Sequence, residues 1–426
     1  MRQIRFEIAA SCLAAAFVLF PALSSAAEPA SKEKVIYSFQ GGADGAGPVS
    51  DLTLDGEGNL YGTTREGGAG GIARGCAPNG CGTVFELKRT ADGWKEEILY
   101  RFVGGKDGAG PKAGVILDAA GNLFGTTTSG GDVESDGVVF KLARGANGGW
   151  TQTVIYSFSF YGDAGNNPTA DLVIDAQGNL YGTTTNGGSK SCFCGAVFEL
   201  TPHSDGSWTE TTIYMFPGRP GGGSPSSGLT IQAGKFYGMT STGGTGRCAL
   251  YFGCGTAYEL TPNSHGEWVE TTMHSFLAGG GAAKFPTNIL FDKAGRLFGT
   301  STVGGDGFGT LFQLFKTEQK GWQERNIHVF YGYPDGATPV GRLVADANGS
   351  LFGATQSDKE FGGYGLVFEL ERSDSRWKET ILHRFHGSPD GGLPSAGPVF
   401  DLQGHLYGTT AIGGVKDFGA VYEITP

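Results

Sequence analysis

Apolar and polar residues alternate along most of the chain with a period of two. Over residues 150–200 the alternation falls into four segments: WTQTVIYSF (150–158), ADLVID (170–175), NLYGTT (179–184) and GAVFEL (195–200). They are rich in aromatic and β-branched residues and bounded by Gly, Asn and Asp clusters, as strands joined by turns are. In the first segment alternation places Trp150, Val154, Tyr156 and Phe158 on one face. No segment sustains the i, i+3, i+4 spacing of an amphipathic helix. The chain therefore reads as all-β. The segments are named A (ADLVID), B (NLYGTT), C (GAVFEL) and D (WTQTVIYSF).

The same four segments recur. Trp94, Trp150, Trp208, Trp268, Trp322 and Trp377 each precede a Phe by the same interval: Phe102, Phe158, Phe216, Phe276, Phe330 and Phe385. Phe39, in the first VIYSF, ends a seventh copy with no tryptophan. Links A–B and C–D look like hairpin turns. The B–C link is longer and glycine-rich, and the D–A link carries Asp-Gly and then Pro, as in GGADGAGP. Four antiparallel strands repeated seven times, at a period of about 55 residues, predict a seven-bladed β-propeller. The first strand is a lone D (Val35 to Phe39) and the last a lone C (Gly419 to Ile424). Pairing them would complete the seventh blade and leave no free edge. An open or differently paired β-array is the alternative.

A glycine sits inside segment B of every unit: Gly62, Gly125, Gly182, Gly238, Gly299, Gly353 and Gly408. A strand-interior glycine costs about 0.5–1 kcal/mol against Ala. Repeating it implies a close approach there. The expectation is an aromatic ring of the neighbouring blade lying on bare backbone, with a ligand as the alternative.

Composition narrows the setting. Of 426 residues 76 are Gly, 17% are charged, and the formal net charge is −11. Without clustered Lys or Arg, nucleic acid and anionic membrane are not expected partners. Residues 1–27 combine a basic start (MRQIR), an apolar run (IAASCLAAAFVLFPAL) and small residues (SSAA), the pattern of a secretory signal peptide. Nothing after it reads as a membrane span. The expected organisation is a signal peptide over 1–27 and a single propeller over 28–426, exported as a monomer and secreted, periplasmic or attached to the cell surface.

The unit DxxGNLYGTT–GG–loop–CGTVFEL (or GAVFEL)–GW–ETxIYSF resembles the GloVer tandem repeat of bacterial envelope proteins. Asp55 to Thr64 with Gly82 to Leu87, and Asp175 to Thr184 with Gly195 to Leu200, carry it. The resemblance extends over about residues 33–426 and implies little about function, because that family is defined by its repeat. The fourth unit departs from the pattern, reading TIQAGKFYGMT without Asp or Asn at the turn.

Six cysteines follow the signal region as local pairs, Cys76/Cys81, Cys192/Cys194 and Cys248/Cys254, each in a B–C loop. An even count in an exported chain reads as disulfides Cys76–Cys81, Cys192–Cys194 and Cys248–Cys254. A redox role for Cys192 and Cys194 is the alternative. Four suitably spaced zinc ligands are not apparent.

In a propeller so connected, the B–C and D–A loops share one face, where function is to be sought. The D–A loops bring Asp44, Asp107, Asp163, Asp335 and Asp390 to it; the B–C loops bring Asp132, Glu134 and Glu360. Such carboxylates suit calcium or sugar hydroxyls. Asp before Gly also makes a turn on its own. His274, His328 and His383 stand where other units have Tyr100, Tyr156 and Tyr214, as substitutes at the core edge. No nucleophile–base constellation, phosphate loop or paired glycosidase carboxylates stand out. The sequence thus points to a non-catalytic binding or interaction module for glycan or protein, without catalytic residues or a resident cofactor unless calcium binds. The alternatives are an extracellular carbohydrate-active enzyme using loop carboxylates and a purely structural envelope repeat.

Overall fold

The structure is a computed structural model. It describes residues 31–426 apart from 69–75, 77–78, 133–135, 160, 249–251, 280, 306, 359–361 and 375. The signal peptide expected over 1–27 lies outside the described residues.

The described residues form seven antiparallel blades in a ring. Blade 3 shows the pattern: A is Val173–Ile174, B Leu180–Thr184, C Cys194–Pro202 and D Trp208–Met215. In blade 7 the N-terminal strand Lys32–Ser38 takes the outer place and pairs with Ala420–Thr425. Ring closure by the two ends is therefore as expected, and the C-terminal strand Ala420–Thr425 is not left as an open edge.

Segment A is longer than its sequence suggests. In blade 1 the Gly-Pro piece Ala46–Pro48 already pairs with the end of strand B, ahead of Thr53–Leu54. In blades 5 and 6 the two pieces are continuous, as Ala283–Phe291 and Ala337–Ala345.

The A–B turns explain the DxxGN motif. One oxygen of Asp55 accepts the N–H groups of Glu57 and Asn59 (2.8 and 2.9 Å), and the other accepts the Asn59 side-chain amide (2.8 Å). The carboxylate thus builds the turn, and Gly58 supplies the positive φ of 85°. Blade 4, which lacks the motif, uses a two-residue turn instead. Ala233 (φ 52°) and Gly234 (φ 74°) join the paired Gln232 and Lys235, as in type I′ hairpins.

Seven apolar clusters fill the seven interfaces between blades. The cluster between blades 1 and 2 joins Tyr61, Val84 and Phe102 to Leu123, Phe140 and Leu142. Two expectations are corrected here. The ring over the segment-B glycine comes from strand C of the same blade, not from the neighbour: a Cβ on Gly182 would stand 2.5 Å from Cζ of Phe198. Gly182 and Phe198 are cross-strand partners, so the ring needs only to fold back over its own sheet. The neighbour contributes the next layer, with Phe158 edge-on to Phe198 at 5.1 Å.

The second correction concerns strand D. A β-bulge between Val154 and Tyr156 inserts one residue and reverses the alternation. Trp150 therefore packs toward blade 1, whereas Tyr156 and Phe158 pack toward blade 3. The same register shift recurs between strands C and D of all seven blades. It lets the outer strands of blades 1 to 6 serve both interfaces, facing back through Trp and forward through Tyr or His and Phe.

Candidate functional site

The D–A and B–C loops share one face. All three expected disulfides are formed there, Cys76–Cys81, Cys192–Cys194 and Cys248–Cys254. Cys81 and Cys254 are fully buried. Each bridge ties its loop to the start of strand C, so these loops are braced against the sheet.

The D–A aspartates fold back onto their own loops. Asp44 accepts the hydroxyl of Tyr37 and the N–H of Gln40, each at 2.6 Å. Asp107 does the same with Tyr100 (2.6 Å) and the N–H of Val103 (2.7 Å). Asp335 takes the N–H of Tyr331 (3.1 Å), and Asp390 takes that of His386 (2.9 Å) and meets His383 at 3.1 Å. These four make turns and clasp the edge of strand D. Asp163 is exposed in its loop. Asp132, 63% exposed, forms a surface ion pair with Lys106 at 3.1 Å. Glu134 and Glu360 lie outside the described residues. The structure thus spreads the candidate carboxylates over separate loops.

Beneath these loops, strands D bring a Tyr or His toward the next blade, which offers a glutamate at every interface but that of blades 1 and 2, where Gln152 stands. Tyr156 faces Glu210 and Tyr214 faces Glu270. Burial raises both glutamates, and Asp163 adds to the effect at Glu210. Glu96 is pushed up to about 7 by burial, with Asp44 adding and Arg101 opposing. Burial likewise pushes Glu33 to about 7 against the pull of His383, and Glu379 to about 8 with Asp335 adding.

Two features were not foreseen. Exposed aromatic side chains concentrate on the loop face: Tyr161 (68% exposed), Phe252 (67%), Tyr331 (63%) and Tyr333 (70%). Tyr333 is backed by the Arg384 guanidinium, 5.0 Å from its ring centre, which Asp358 holds at 2.6 Å. The signal was aromatic residues within a glycine-rich loop, as in YGYPDG (331–336).

The other feature is the channel on the ring axis, a cavity of about 870 Å³. Arg342 of blade 6 reaches across it to Asp171 of blade 3 (2.6 Å) and Asp51 of blade 1 (3.3 Å). The N–H of Gly114 also bonds Asp171 (2.6 Å), and that of Gly397 bonds Asp51 (2.8 Å). Burial pushes Asp51 up, and Arg342 pulls it back. The residue three after each unit's proline carried the signal: Asp51, Gly114, Asp171, Gly228, Ile289, Arg342 and Gly397.

A ring of seven four-stranded blades, closed by its two end strands and carrying disulfide-braced loops on one face, defines a repeat-built β-propeller. The chain belongs to the Gloeobacter/Verrucomicrobia repeat family, whose model matches residues 26–252 and 249–426. No curated protein matches it. Solved structures that it resembles include a Thermus thermophilus protein described as an oxidoreductase (glucose dehydrogenase). That match has 14% identity and a TM-score of 0.44, covering 93% of this chain and all of the other. A Xanthomonas campestris gluconolactonase matches at 14% identity and TM-score 0.39, over 72% of this chain and 83% of its own. A Dyadobacter fermentans protein of unknown function matches at 12% and 0.42, over 93% and 99%. At these scores neither shape nor chemistry is carried over.

Proposed function

We propose that the protein is an exported, monomeric, non-catalytic module that binds carbohydrate on its loop face. The observation that supports this most is the set of exposed aromatic rings on that face, above all the Tyr331–Tyr333 pair in one loop. A flat aromatic face suits the C–H face of a pyranose, while nearby polar groups take its hydroxyls. Loops on a rigid scaffold are the usual place for such contacts. The bridges Cys76–Cys81, Cys192–Cys194 and Cys248–Cys254 suit an oxidising compartment. Among the described residues no helix is long and apolar enough to cross a membrane. The test is a panel of immobilised bacterial and plant glycans probed with the mature chain and with Tyr331→Ala/Tyr333→Ala. Selective binding lost in the variant is expected. Binding to no glycan, or equal binding by the variant, would refute this reading.

A further inference from the structure

We propose that His328, Asp335 and Glu379 form a site for a divalent transition ion of the zinc class, and that His383, Asp390 and Glu33 form its twin one interface further round the ring. This inference does not rest on the carbohydrate reading.

It comes from comparing equivalent positions of the repeat. Six residues after the tryptophan position stand Tyr37, Tyr100, Tyr156, Tyr214, His274, His328 and His383. Two residues after it, on the next blade, each meets a carboxylate or its amide: Glu96, Gln152, Glu210, Glu270, Glu324, Glu379 and, on the closing strand, Glu33. Tyr37 donates its phenol to Asp44 and Tyr100 to Asp107, whereas Tyr156, beside Asp163, bonds Glu210 of the next blade. Where His274 stands, the D–A loop has no aspartate. Its Nε2 meets Glu324 at 3.2 Å, and the other Glu324 oxygen takes the N–H of Ala283 at 2.9 Å. The acceptors of the Tyr100 and His274 interfaces are thus met internally, whereas at the Tyr37 interface Oε1 of Glu96 is left without a partner.

Among these seven equivalent positions, imidazole, aspartate and glutamate coincide only at His328 and His383. Within each trio the donor atoms lie within 4.8 Å of one another. Nε2 of His328 stands 3.6 Å from Asp335 and 3.7 Å from Glu379, too far for hydrogen bonds. That nitrogen and Oε1 of Glu379 are buried without a hydrogen-bond partner, and so is Oε1 of Glu33 in the twin. Buried polar atoms left unpaired are costly, so each calls for a partner. Tetrahedral ligands about 2.0–2.2 Å from zinc stand about 3.4 Å apart. The two distances from His328 need to contract only slightly to meet that, and the carboxylates lie within 4.8 Å of each other. In the twin, Nε2 of His383 is 3.1 Å from Asp390, and exposed His386, with Nδ1 3.5 Å from Asp390, offers a fourth ligand. One imidazole with two carboxylates suits zinc or manganese, whereas calcium takes oxygen ligands.

Each ion would link two blades, because histidine and aspartate come from one and glutamate from the next. The twin would tie the closing strand, through Glu33, to blade 6 and so reinforce ring closure.

The test uses the full mature chain, stripped with chelator, titrated calorimetrically with zinc chloride and melted with and without the ion. Two ions per chain and a raised melting temperature are expected. His328→Tyr and His383→Tyr write in the residue that the repeat itself uses at this position. Each is expected to remove one ion, and the double variant both; His265→Ala, in a turn on the opposite face, removes none. Should a tyrosine variant misfold by circular dichroism, Glu379→Gln replaces it, with one ion lost. Absence of saturable zinc binding by the wild type, or undiminished stoichiometry in a folded double variant, would overturn the proposal.

Discussion

Gly182→Ala tests the packing that makes the repeat necessary. The added methyl would lie 2.5 Å from Cζ of Phe198 and 2.8 Å from Cδ2 of Leu172, closer than van der Waals contact permits. Neither group yields freely. Phe198 is fully buried and stands edge-on to Phe158 across the interface, and Leu172 is also buried. Overpacking of this kind costs about 1–3 kcal/mol. Replacing a strand-interior glycine returns about 0.5–1 kcal/mol. The net expectation is a loss of about 1–2 kcal/mol, read as a lower urea midpoint with unchanged slope. Phe198→Leu alone is also expected to destabilise, by opening space in the interface. Combined, the two should cost less than their sum by about 1 kcal/mol, because the smaller side chain removes the clash. A Gly182→Ala protein at least as stable as the wild type, or strictly additive losses in the double variant, would refute the packing explanation and return the glycine to the ligand reading.

Other perturbations probe separate parts of the molecule. Arg342→Met leaves Asp51 and Asp171 without their shared cation; because the arginine side chain is 47% exposed in the channel, the expected loss is about 1–2 kcal/mol, and unaltered thermal stability would show that the pair carries no weight. Glu96 titrates near 7 in the fold against 4.5 unfolded, so the folded state holds its proton more tightly and stability falls as pH rises through that window. Glu96→Gln removes this loss: it should gain about 1 kcal/mol on the wild type at pH 8, after discounting for a half-buried site, and little at pH 4. Gln152, the natural amide at the same position in blade 2, already bonds the carbonyl of Asp107 at 3.2 Å; an equal difference at both pH values would contradict the assignment. Deleting residues 31–38 leaves strand Ala420–Thr425 with an open edge and should give association by size-exclusion chromatography with light scattering; a stable monomer would deny the closure its role.

The fold was legible because the repeat writes the same local physics in nearly every unit. Asp and Gly at fixed places make the A–B turns, and alternation marks the strands. What escaped the sequence is what depends on register. The bulge beside Tyr156 leaves no local mark, yet it reverses the faces of strand D, so Trp150 and Phe158 were assigned to one side. The partner of Gly182 was likewise placed on the wrong blade, since periodicity tells that something approaches but not from where. The loop aspartates were recognised, but only coordinates separate Asp44, committed to Tyr37 and Gln40, from the exposed Asp132. Arg342 went unnoticed because its partners, Asp51 and Asp171, are on distant blades that only ring closure brings to a common axis.

The most direct measurement of the central claim is product analysis during binding. The mature chain is titrated calorimetrically with the oligosaccharide that scores highest on the glycan panel, and the same mixture is followed by chromatography for days. Saturable binding that depends on Tyr331 and Tyr333, with the oligosaccharide recovered intact, is the expected result. Shortened or oxidised sugar, formed in proportion to protein and abolished by replacing a single loop carboxylate, would contradict it and make the protein an enzyme.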